Sequence, residues 1–173
     1  MTYCFELITI NQYRSASRKP PGIVIIVGQL LGIAIRHKKR GAMHQLENAA
    51  VTTTAGVADD FRGKPGDRQV TVLAREDWQA ACQEIDQTLP WLTRRANLYI
   101  EGINLHQTSG KRLKIGQLEL LITRETDPCN RMQEAHADLF QALAKAWRGG
   151  VCCRVIQDGA IAVGDQVRLI DAP

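Results

Sequence analysis

The stretch ETDPCNRM, residues 125–132, sets one thiol, Cys129, directly behind a proline and at the start of what reads as a helix. A thiolate is the form of cysteine that attacks electrophiles and ligates soft metals. A helix N-terminus and nearby cations favour that form, and Arg124 and Arg131 stand close in sequence. Glu125 and Asp127 oppose it if they face the sulfur. Pro128 has no N–H and a fixed φ, so it aims the next residue without using a donor. Taken alone, the residues leave two readings of Cys129 open, a functional thiol and an inert loop cysteine.

The second chemical feature is arginine in short polar segments, such as DFRGKPGDRQ and LTRRANL. Such clusters suit a compact anion better than a long polyanion. Lys and Arg number 22 against 18 Asp and Glu, a net charge of +4, and Phe, Tyr and Trp contribute three residues each. A nucleic-acid groove needs clustered charge with interleaved aromatics, so nucleic acid is not the expected partner. The expected partner is a small phosphorylated molecule.

The remaining candidate ligands point nowhere specific. The five cysteines, Cys4, Cys82, Cys129, Cys152 and Cys153, have no CxxC spacing, and the four histidines show no HxxxH pairing. A zinc cage or a disulfide scaffold is not indicated; free thiols fit a reducing cytoplasm. Cys152 and Cys153 are neighbours in an expected strand and should face opposite sides, whichever faces inward packing or approaching Cys129. No Ser-His-Asp arrangement, phosphate loop or dinucleotide fingerprint is present.

The elements that would position these groups are mostly strands. QLLGIAIR, RQVTVLA, NLYIEG, RLKIG, LELLITR, VCCRVIQ and QVRLID read as short β-runs separated by turn signals such as KPGD, TSGK and VGD. Strands at this spacing suit a closed or nearly closed barrel, which leaves few exposed edges. Two helices interrupt them. REDWQAACQEI puts Trp78, Ala81, Cys82 and Ile85 on one face, which makes Cys82 a core thiol. The second is expected to run from an Asn130 N-cap through Met132, Ala135, Leu139, Leu143 and Trp147 to a Gly149-Gly150 stop. The apolar run Gly22 to Ile35 is too short for a membrane helix and is followed by RHKKRG, so Gln29 to Arg36 is expected as a buried strand and no membrane role is expected. The first 26 or so residues do not share the later pattern, and Pro20-Pro21 sets them apart as an extension, either disordered or upstream sequence. Residues 27–173 are expected as one domain.

Read in order, GVADDFRGKPGDRQVTVLARE, LTRRANLYIEGINL, GKRLKIGQLELLITRETDPCNRM and WRGGVCCRVIQDGAIAVGD resemble a MOSC domain, the family named for the C-terminal domain of molybdenum-cofactor sulfurase. The resemblance implies a mainly β, barrel-like fold with two or more peripheral helices, and it places Cys129 on the family's characteristic cysteine. In relatives that bind molybdenum cofactor, such as the mitochondrial amidoxime-reducing component, that position is implied to ligate molybdenum; in sulfurase-type members it is proposed to carry sulfur.

Arg95 and Asn97 fall on the family's Arg-x-Asn element, with Arg94 beside them as a helper or a solvated neighbour, and the resemblance implies contacts to a pterin and its phosphate. Asp60 takes the acidic place of a family Gly-Asp pair whose glycine is here Asp59, and this departure bears on the local turn. Arg62, Lys64 and Arg68 are either an anion site or surface charges, and Arg131 joins the cofactor-binding candidates.

The resemblance implies three functions. The first is a molybdenum-cofactor reductase of N-hydroxylated small molecules, fed by a separate electron-transfer partner. The second is a carrier taking sulfane sulfur on Cys129 from a cysteine desulfurase whose pyridoxal phosphate stays in that partner. The third is a non-catalytic cofactor-binding module. The paired arginines favour the first, because an anionic pterin needs them and a persulfide relay does not.

Overall fold

In the computed structural model, which describes residues 26–171, the strands are β1 (Ile26–Ile35), β2 (His44–Leu46), β3 (Asn48–Thr52), β4 (Gly56–Val57), β5 (Val70–Ala74), β6 (Leu98–Glu101), β7 (Arg112–Ile115), β8 (Leu118–Glu125), β9 (Val151–Gln157), β10 (Gly159–Ala162) and β11 (Gln166–Ile170). The helices are α1 (Arg75–Glu84), α2 (Asn130–Ala135) and α3 (Leu139–Leu143), with a 3-10 turn at Trp91–Arg94. Expectations about the first 25 residues, Cys4 among them, lie outside the described residues. Among the described residues no helix is long and apolar enough to cross a membrane.

Seven strands close a barrel in the order β11, β7, β8, β9, β5, β6, β1. The ring is completed where Ile26 to Gln29 of β1 pair antiparallel with Leu169 to Gln166 of β11. Those seven are the seven runs expected from the sequence. The other four strands were not expected: β2 extends the edge of β1, and β10, β3 and β4 form a small antiparallel sheet. Each is two to five residues long.

One barrel pair, β5 with β6, is parallel. Parallel neighbours need a crossover, which α1 and the 3-10 turn supply. Alternation along β5 then divides its side chains. Val70, Val72 and Ala74 enter the barrel core, and Leu73 faces a second cluster containing Trp78, Ala81, Cys82, Met132, Leu139 and Leu143. Cys82 is thus a core thiol, as its helical face indicated.

The second expected helix is corrected. It is two helices, because His136 takes an extended conformation after α2 and Asp138 N–H turns back to His136 Nδ1 at 3.3 Å. The apolar spacing survives the break, since Met132, Leu139 and Leu143 bury into one cluster. Trp147 departs from it: it has φ of 61° and packs against the barrel core. The N-cap is also corrected, from Asn130 to Cys129, whose carbonyl accepts Met132 N–H at 2.8 Å.

Asp59, at the position where a glycine was expected, is exposed and has φ of 63°. The left-handed turn is therefore kept without its glycine, at a steric cost that glycine avoids. Asp59→Gly should stabilise the protein by about 0.5 kcal/mol, after glycine's extra unfolded-state entropy is subtracted. Chemical denaturation would check this, and a destabilised variant would contradict it. A second expectation concerns pH. Burial, helped by Glu76 and opposed by Arg148 and His106, pushes the Asp77 carboxyl in α1 up to about 6. A raised carboxyl pKa favours the neutral acid in the fold, so its penalty is absent below about pH 4 and complete above about pH 6. The stability of Asp77→Asn relative to wild type should therefore climb across that window in pH-resolved melts.

Candidate functional site

The segment carrying Cys129 leaves β8 at Glu125 and is held before it reaches the thiol. Thr126 N–H donates to Gly150 O at 2.8 Å, and the Thr126 hydroxyl lies 3.2 Å from Cys152 Sγ. The stronger hold is Arg94, which is only 5% exposed. Its Nε donates to Gly149 O at 2.9 Å, and its Nη2 donates to Thr126 O at 2.8 Å and more weakly to Asp127 O at 3.4 Å. Burial, with Arg68 adding repulsion, lowers Arg94 to about 10, so it remains charged at neutral pH. Arg94 is thus neither solvated nor primarily a ligand donor; it clamps the backbone beneath Cys129.

The glycine pair belongs to the same clamp. A Cβ on Gly149 would lie 2.4 Å from Thr126 O and 3.0 Å from Arg94 Nη2. Gly150 has φ of 86°, and a Cβ there would meet Val72 O at 2.1 Å. Both positions serve close approach of chain to chain. The two cysteines of β9 divide as alternation requires: Cys153 enters the barrel core, where burial pushes its thiol up, and Cys152 is buried against Thr126.

Above the clamp opens a cavity of about 190 Å3. A larger crevice of about 570 Å3 lies beside Trp78, Leu89, Trp91 and Tyr99, but its one charged lining residue is Asp86. Chemistry rather than size therefore selects the smaller cavity. Cys129, an exposed free thiol, lines it together with Arg62, Arg68, Arg94, Arg95 and Arg131. Arg36, Lys39 and Arg40 complete eight cationic side chains, and among the described residues no carboxylate lines the cavity. Arg95 sits in the left-handed region, with φ of 65°, and its Nη2 donates to Gly41 O at 2.7 Å. Burial, then repulsion from Arg131, lowers its pKa while Cys129 acts in the opposite sense.

Two sequence candidates serve by positioning others. Asn97 lines the cavity, but its Oδ1 accepts from Thr71 N–H and Oγ1–H at 3.1 and 3.0 Å, and its Nδ2 donates to Ala34 O at 3.2 Å. Its amide ties β5 and β1 to the start of β6. Asp60 is not in the lining; its Oδ1 accepts Arg36 N–H at 2.9 Å and its Oδ2 accepts Arg62 N–H at 3.0 Å. It fixes the backbones of two lining arginines. Lys64 does not line the cavity, and Arg124 points to Asp127 at 3.1 Å instead.

Sequence reasoning missed Arg36, Lys39, Arg40, Phe61 and Thr71. The run RHKKR carries a signal for three of them, because a basic run straight after a buried strand must emerge at a sheet end, where barrel sites lie. For metal, the donor set is narrow. Among the described residues no group of three or more His, Cys, Asp or Glu side chains converges. Cys129 could be one ligand to a metal only if the rest arrived on a cofactor, and the arginines suit a cofactor carrying phosphate.

Comparison with known proteins agrees with this architecture. The family model of the MOSC domain matches residues 41–168. YuaD from Bacillus subtilis superposes with a TM-score of 0.73 at 18% identity, covering 87% of this chain and all of that one. YiiM from Geobacillus stearothermophilus gives 0.66 at 16% identity, covering 83% and 75% of the two chains. YiiM from Escherichia coli gives 0.63 at 16%, covering 84% and 71%. No curated protein sequence matches the chain.

Removal of the clamp should be costly, because the buried carbonyls of Gly149 and Thr126 lose their donor. Arg94→Ala should lose about 2–4 kcal/mol of stability, allowing for relief of the buried charge. It should also speed limited proteolysis between residues 125 and 131. Wild-type stability and cleavage in the variant would show that Arg94 does not hold this segment.

Proposed function

Because the chain belongs to the MOSC domain family, we propose that its cationic cavity binds molybdenum cofactor, with the Cys129 thiolate as the protein ligand to the metal. The observation that supports this reading is the convergence, among the described residues, of eight cations, one exposed thiol and no carboxylate on one cavity. An anionic phosphorylated pterin needs those cations, and a metal arriving on that pterin needs only one ligand from the protein. When bound, the cofactor would supply two-electron redox chemistry, and the reaction we propose is reduction of an N-hydroxylated small molecule.

The chain's own residues would act by binding and orientation. Arg95 and Arg131 flank Cys129 and would draw the cofactor's anionic groups to the thiol side. Arg94 Nη1 has no acceptor among the described residues and would be free to donate to a ligand. The clamp holds the backbone at Thr126, which would limit the swing of the segment carrying Cys129 before the ligand arrives. Electrons would come from a separate partner, since the sequence carries no flavin or iron–sulfur motif.

The exposure of Cys129 supports a second reading, a sulfur carrier that accepts sulfane sulfur from a partner desulfurase. One experiment separates the two. Protein expressed in a host that makes molybdenum cofactor should retain near-stoichiometric molybdenum and pterin by mass spectrometry, and Cys129→Ala should lose the metal. Wild-type protein free of both, but carrying persulfide on Cys129, would reject the cofactor reading in favour of the carrier.

A further inference from the structure

The cations of the cavity fall into two groups. Arg94 and Arg95 interact with Cys129, and Arg131 neighbours Arg95. Arg36 instead lies near Asp60 and Arg62, with Arg95 and Arg68 between the groups, since Arg68 also repels Arg94. Lys39 and Arg40 follow Arg36 on the exposed β1–β2 loop, which Arg95 ties to the site through Gly41 O.

The Asp60 group is organised and undercompensated. Both oxygens of Asp60 are bonded to backbone N–H groups, which fixes the backbones of Arg36 and Arg62 on one carboxylate. Among the described residues none of Arg36, Lys39, Arg40, Arg62 and Arg68 forms an ion pair, although nine ion pairs occur elsewhere. Burial lowers the pKa of Arg36, with Asp60 opposing and Arg95, Arg62 and Arg68 adding to the shift. One phosphate monoester carries about two negative charges. That is compensation for the Cys129 side, and it leaves Arg36, Lys39, Arg40 and Arg62 lining the other side without an ion-pair partner among the described residues.

Beside this group stands Phe61, 47% exposed and lining the cavity, with its N–H held by Arg36 O at 2.7 Å. Its backbone is anchored while its ring meets solvent. An exposed ring among guanidinium groups offers a stacking face to a planar ligand that brings its own negative charge.

We propose that the Asp60 side of the cavity is a second anion subsite, in which Arg36, Lys39, Arg40 and Arg62 hold the phosphate of an aromatic phosphate ester while Phe61 stacks on its ring. This rests on the cofactor reading for the Cys129 side only. The aromatic phosphate has two sources, a nucleotide attached to the cofactor or a free nucleotide-like substrate.

Calorimetry on the full chain, purified from a host unable to make molybdenum cofactor, tests the subsite without the cofactor. Adenosine 5′-monophosphate should bind at least about tenfold more tightly than adenosine or inorganic phosphate, and more weakly as salt rises. Arg62→Gln and Lys39→Gln should each weaken it by about tenfold. Phe61→Ala should reduce its affinity to that of inorganic phosphate, and Lys64→Gln, outside the lining, should leave it unchanged. These side chains are exposed, and circular dichroism would confirm folding of each variant. Equal affinity for adenosine and its monophosphate, or indifference to Arg62→Gln and Phe61→Ala, would overturn the proposal. Protein from a cofactor-making host identifies the source: a nucleotide-extended pterin points to the cofactor, and an unextended one to the free ligand. Monophosphate binding by a chain that never retains molybdenum would leave the subsite standing and remove the cofactor reading.

Discussion

A buried guanidinium without a carboxylate is the constraint on which the site depends. Arg94 is removed from water and compensated by the carbonyls of Gly149, Thr126 and Asp127. Neutral carbonyls recover less of the desolvation cost than an ion pair would, so all three have to be in place. That requirement reaches outward. Gly149 must lack a side chain, Thr126 must sit over Cys152, and the segment leading to Cys129 must follow. It also reaches Arg95: with Arg94 turned into the protein, the next residue takes a left-handed conformation and delivers its own guanidinium to the cavity.

The barrel is the frame that brings these segments together. The residues concerned come from the end of β1, the β4–β5 loop, the 3-10 turn before β6, and the segment between β8 and β9. They meet because β5 lies between β9 and β6, with the parallel pair forcing the chain to cross over through α1 and re-enter at Asn97. Asn97 seals that re-entry, joining Thr71 on β5 to Ala34 on β1. Its family-like position thus has a structural explanation before any ligand is considered.

Electrostatics then gives the cavity its character. Like-charged arginines in one cleft raise each other's free energy, and the fold concentrates them instead of distributing them among surface ion pairs. A site with this imbalance is stabilised by whatever anion fills it, so binding and local order are linked. Cys129 stands at the edge of that field, exposed, with its backbone set by the clamp below.

How much of this was legible in the sequence follows from how local each cause is. Alternation within a strand and apolar spacing within α1 are short-range signals, so the seven barrel strands, the burial of Cys82 and the opposed faces of Cys152 and Cys153 could be read directly. Cys129, Arg62, Arg68, Arg95 and Arg131 were nameable because their residue types carry chemistry wherever they stand. Tertiary structure decided which of them are ligand-facing and which are internal. Arg94 and Arg95 are adjacent and chemically identical, yet one is a buried clamp and the other lines the opening, because only the distant carbonyls of Thr126 and Gly149 distinguish them. That Arg36, Lys39, Arg40 and Phe61 share one cavity with Cys129 likewise arises from chain crossings tens of residues apart.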